Sequence, residues 1–174
     1  MLRSYAMFKL WRKSPKRYMS KYCHHHNCIE ELKSDHQNIL THLNDLENVI
    51  NQPIINYAKV EEFLRFTETF AEPHHQKEEQ VLFPALEKKG IPNEGGPIGM
   101  MLLEHAAKSD YLVKMREALQ ENNETKLKEN TQAVIYLLRD HIYKEDNILY
   151  PCAQDAFTKE ELVSLASRCE KIKI

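Results

Sequence analysis

HHQKEEQVLFPA, from His74 to Ala85, and HIYKEDNILYPC, from His141 to Cys152, are two copies of one pattern: His-x-x-Lys-Glu-acid-x-aliphatic-Leu-aromatic-Pro. In each copy a His and a Glu stand four residues apart. On a helix such residues lie one above the other on a single face, so each copy is a two-ligand clip for a metal ion. The likeness continues upstream. Asp35-His36 precedes the first clip, with 38 residues from His36 to His74, and Glu104-His105 precedes the second, with 36 residues from His105 to His141. The chain therefore reads as a tandem repeat with two helices per half. The first helix of each half carries one His and the second carries a His/Glu pair.

The rest of the sequence suits a small helical domain. Its 174 residues allow one core of ordinary size, and the 42% hydrophobic and 29% charged fractions match a soluble globular chain. Only four Gly among abundant Leu, Glu and Lys favours helix over sheet. No apolar run approaches the roughly 20 residues of a membrane span. The net charge of −2 conceals an asymmetry, because residues 1–22 hold seven Lys/Arg and no acid. The remainder is acidic, which argues against nucleic-acid binding. The basic leader lacks the apolar centre of a secretory signal. It resembles an organelle transit peptide, or it is a disordered tail, or translation starts at Met7 or Met19. Residues 1–28 are read as an extension outside the core and 29–174 as the domain. The expected location is cytoplasmic, or an organelle matrix if the leader is a transit peptide.

Apolar spacing predicts helices over 29–50 and 57–89, the second kinked near Pro73 and Pro84 and stopped at Gly90. GIPNEGGP, residues 90–97, is the clearest loop and divides the repeats. Helices over about 98–121 and 126–153 follow, and Thr158 with Glu161 forms a capping-box pattern for a short helix over 159–170. Four helices with short connections imply an up-down antiparallel bundle.

In such a bundle His36, His74, Glu78, His105, His141 and Glu145 can converge on the axis. Two bridging carboxylates and four imidazoles give two metals four protein ligands each. One oxo or hydroxo bridge then leaves an open position on both. The mixed donor set suits iron, with manganese and zinc less so. A single His on a helix is ordinarily a packed or surface residue, but six ionisable residues repeating in register need a common cause.

KEEQVLFPAL and KEDNILYP, with GPIGMMLLEH between them, resemble the hemerythrin-like HHE cation-binding family over about residues 29–155. The resemblance implies an all-α four-helix bundle holding two non-haem iron ions, with the six residues above as ligands. It further implies a small ligand: oxygen, nitric oxide or hydrogen peroxide. Sensing, scavenging or stress response would be the role, and iron storage, iron–sulfur repair or oxygen carriage the alternatives. Whether the chain is an enzyme stays open.

Three features qualify this reading. His75 and Glu79 form a second His-x-x-x-Glu pair offset by one position, but their repeat counterparts are Ile142 and Asp146. Only the 74/78 register recurs, so His75 is expected behind the ligands or at the surface, with a ligand role as the alternative. A ferritin-type Glu72/His75 pair fails the same test against Arg139 and Ile142. Next, oxygen-carrying members of the family place a further His one turn before the one at His105, where this chain has Met101. A fifth imidazole is then missing and both metals are open, which moves the reading away from reversible oxygen storage. Finally, CHHHNC at Cys23–Cys28 packs five metal-prone residues into six positions, either as a second metal site or as part of a mobile leader. Four Cys without framework spacing suggest a reducing compartment. Tyr143 and Tyr150 stand near the second clip, as packing residues or as electron and proton donors.

Overall fold

The computed structural model describes residues 27–172, so the basic leader and most of CHHHNC lie outside the described residues. The described chain is all-helical. Helix α1 is Cys28–Ile50, α2 spans 57–88, α3 is Pro97–Gln120, α4 spans 124–156 and α5 is Lys159–Cys169. Polar side chains set the starts. The Asn27 side chain accepts from the amides of Ile29 and Glu30, Asn56 caps α2, and Asn123 caps α4. The capping box of Thr158 and Glu161 forms with both of its hydrogen bonds. Gly90 ends α2 at φ +91°, a left-handed conformation that glycine adopts without strain.

The kinks expected at Pro73 and Pro84 take a different form. Helix α2 continues through both prolines, but widens into π-turns at Thr67–Ala71 and Glu78–Leu82, and α4 does the same at Glu145–Leu149 ahead of Pro151. Proline has no N–H for the i−4 carbonyl, and a wider turn just before it absorbs that lost bond. Two of the three π-turns begin at Glu78 and Glu145, the clip carboxylates.

The apolar residues divide into two clusters. One contains Ile29, Leu32, Leu82, Leu86, Ile98, Met101, Leu149 and Leu165, and the other Ile39, Leu43, Val60, Leu112, Met115, Leu127 and Leu138. Each fully buried Leu or Ile stabilises the fold by about 1.5–3 kcal/mol. Along α1 the switch between clusters falls between Leu32 and Ile39, where His36 stands. Along α3 it falls between Met101 and Leu112, where His105 stands. The candidate ligands therefore form a polar layer between two dry cores. Helix α3 packs most extensively on α4, α1 lies against α2 and α4, and α5 covers α1 and the Glu78–Leu82 turn. Cys28, assigned to the extension from sequence, is instead buried in the first cluster at the start of α1. Burial pushes its thiol up to about 12, as burial in apolar surroundings does to a cysteine.

Candidate metal centre

All six repeated residues lie in the polar layer: His36, His74, Glu78, His105, His141 and Glu145 are each at most 4% exposed. Glu145 Oε2 lies 3.1 Å from His36 Nε2 and 3.2 Å from His141 Nε2. Glu78 Oε2 lies 3.6 Å from both His74 Nε2 and His105 Nε2. Each carboxylate thus stands between an imidazole of one half and an imidazole of the other. His105 Nε2 and His141 Nε2 face each other at 3.1 Å.

His75 departs from the sequence reading. It is 2% exposed, and its ring centroid lies 4.1 Å from that of His105. Two interlocking sets of ligand-type atoms result, each within 4.8 Å: His36, His74, Glu78 and Glu145, and His75, Glu78, His105 and His141. The repeat argument does not exclude this, because adjacent helical residues point about 100° apart. His74 and His75 can then address opposite sides of one centre, with no second-half counterpart needed. Met101 is buried in the apolar cluster, and the fifth imidazole reaches the layer from α2. Glu79 is no rival ligand in this arrangement, since its half-exposed carboxylate accepts from His105 Nδ1–H at 2.7 Å.

Several of the inner atoms lie close to one another yet make no hydrogen bond. Among the described residues, the buried side-chain polar atoms lacking a hydrogen bond are His74 Nε2, Glu78 Oε2, both carboxylate oxygens of Glu145, and Thr131 Oγ1. Orphaned buried polar atoms cost about 1–3 kcal/mol each, and a cation bound among these four would satisfy them together. The electrostatics agree. Burial and the neighbouring Glu145 charge push the Glu78 carboxyl well above its usual range. Burial works the same way on Glu145, but the imidazoles of His141 and His36 outweigh it and hold that carboxyl well below. Two facing carboxylates cannot both ionise in low dielectric without positive charge between them. Burial and the His141 charge push His105 down to about 3, while Glu145 and Glu104 overcome burial to hold His141 up at about 9.

Behind four of the imidazoles stands a carboxylate. His74 Nδ1–H donates to Asp35 at 3.3 Å and His141 Nδ1–H to Glu104 at 3.0 Å. His36 Nδ1–H donates to Asp146 at 2.9 Å, and His105 to Glu79. Protonating Nδ1 leaves the Nε2 lone pair aimed inward, the arrangement that orients metal-bound histidines. Lys77 and Lys144 in turn ion-pair with Asp35 and Glu104. Of these outer partners the sequence singled out Glu79 beside the first clip; Asp35, Glu104 and Asp146 were not among the candidate site residues, although Asp35 and Glu104 stand next to His36 and His105 in the chain. Tyr150, fully buried and stacked on His36, donates its hydroxyl to Glu78 Oε1 at 2.5 Å. Tyr143, by contrast, is 63% exposed.

The hemerythrin HHE cation binding domain model matches residues 27–153 of this chain. Neither the curated proteins nor the solved structures compared with it gave a match.

Proposed function

We propose, because this chain belongs to the hemerythrin HHE cation-binding domain family, that it is a non-haem di-iron protein that binds or reacts with a small diatomic or peroxide ligand. The observation that carries the reading is the set of inward atoms on His74, Glu78 and Glu145 that make no hydrogen bond. His36 and His74 would hold one metal, and His75, His105 and His141 the other, with Glu78 and Glu145 shared. This set extends the sequence expectation by His75. Mixed imidazole and carboxylate donors favour iron, which when bound supplies one-electron redox chemistry and a position for oxygen, nitric oxide or hydrogen peroxide. In an up-down antiparallel arrangement of α1–α4, one face of each helix would turn to the axis.

The chain's own residues would divide the remaining work. The Nδ1 carboxylates fix the tautomer and direction of four imidazoles. The apolar clusters above and below exclude water. Tyr150 keeps a hydroxyl proton at Glu78 Oε1, within 3.4 Å of His36 Nε2. No helix among the described residues is long and apolar enough to cross a membrane, in keeping with an aqueous compartment, cytoplasm or organelle matrix.

Anaerobic iron loading followed by oxygen, nitric oxide or peroxide tests the reading. Two irons per chain and a spectral response to at least one of these ligands are expected. Fewer than two metals per chain would overturn it.

A further inference from the structure

Four imidazoles of the layer are backed by carboxylates, and the fifth is backed by a cation. His75 Nδ1 accepts from the Lys108 ammonium at 3.0 Å. Lys108 is itself 3% exposed, and its other partner is Glu72, at 2.9 Å, whose carboxylate is 42% exposed. A buried ammonium is costly to desolvate and persists only with good partners, so its aim at a ring in the ligand layer calls for an explanation. The repeat sharpens the point. By register with His36 and His105, the counterpart of Lys108 is Ile39, and the counterpart of His75 is Ile142. Both isoleucines belong to the second apolar cluster. The repeat thus pairs two isoleucines, one from each half, where the equivalent positions hold a histidine and a lysine, again one from each half.

We infer that Lys108 is a positioning residue that makes the metal position of His75, His105 and His141 the weaker of the two. The inference rests on the two-metal reading above and deepens it. A neutral imidazole that accepts at Nδ1 carries its proton on Nε2, the nitrogen that would have to bind the metal. A metal on Nε2 instead requires the proton on Nδ1, which then meets the ammonium donor head-on. Loading this position must break the Lys108–His75 contact. Lys108 has somewhere to go, because it lines a surface groove of about 210 Å³ with Thr67, Glu72, Leu112 and Arg116. Counting imidazoles alone gives the opposite order, since this position has three and the other two.

Cobalt(II) added alone to the full-length metal-stripped protein, followed by calorimetry and visible absorption, separates the steps. The wild type takes two cobalt ions, the second at least about 10-fold more weakly. Lys108→Met tightens the second step by about 10- to 100-fold and leaves the first unchanged. Lys108→Gln, also uncharged, shifts it in the same direction, so either variant suffices if the other fails to fold. Glu72→Gln, which strips Lys108 of its counter-charge, weakens the second step. Two equal steps in the wild type, or a second step unmoved by both Lys108 variants, overturns the inference. His75→Ala should abolish the second step alone. If the second step survives, the assignment of His75 as a ligand fails, and if the wild type takes one cobalt or none, the two-metal reading itself fails.

Discussion

The two halves of the chain agree through three shells and then part on one side. In the first half Lys77 pairs with Asp35, Asp35 orients His74, and His74 stands against Glu78. In the second half Lys144 pairs with Glu104, Glu104 orients His141, and His141 stands against Glu145. The acids after the clips cross over, Glu79 to His105 and Asp146 to His36. The symmetry stops at His75, Lys108 and Glu72, whose counterparts are Ile142, Ile39 and Arg139. It stops again at Tyr150, where the first half has Phe83, a ring near His105 with no hydroxyl to offer. In the proposed two-metal centre, the duplicated positions would share the work of holding the ions, and the unpaired ones are where the two metal positions would differ in chemistry.

Breaking what the halves share should have the largest effect. Glu78→Ala and Glu145→Ala should each drop metal content below one ion per chain, measured by elemental analysis of reconstituted protein. If either variant kept two ions, that carboxylate would not be shared. His74→Ala and His75→Ala should each cost one ion, from different positions, and an identical residual spectrum from the two would contradict the assignment.

The outer shell offers a finer comparison. Asp35→Asn and Glu104→Gln should each weaken metal binding by about 10- to 100-fold, and by similar factors, since they occupy equivalent places. Unequal losses measured by competition with a chelator would show that the symmetry is geometric only.

Making the halves alike should change stability rather than metal grip at the first position. Replacing His75 and Lys108 together with Ile removes a buried ionic group, so the metal-stripped protein should gain up to about 1–4 kcal/mol in chemical denaturation. Loss of stability would mean that the Lys108–Glu72 pair holds α2 to α3. The smallest effect is expected from Tyr150→Phe. It removes one hydrogen bond, worth about 0.5–1.5 kcal/mol, and makes the second half match Phe83 of the first.

Much of this was legible in the sequence because the repeat repeats chemistry as well as apolar spacing. The helices, the Thr158 capping box and the convergence of His36, His74, Glu78, His105, His141 and Glu145 all follow from periodicity and register. The same tool could not place His75, because a duplicated motif says nothing about a residue present in one copy only. Lys108 gave no signal at all. It reads as an ordinary charged helical residue, and only tertiary packing turns it toward His75. The π-turns were half visible, since proline announces a disturbance in the helix but not whether the chain bends or widens.

The central claim is a coupled pair of metals sharing two carboxylates. Mössbauer spectroscopy of the full-length protein loaded anaerobically with ferrous iron and then oxidised tests it most directly. The account predicts two irons per chain, spin-coupled into a diamagnetic ground state, with two distinguishable quadrupole doublets. One iron per chain, or two magnetically isolated ferric ions, would contradict it.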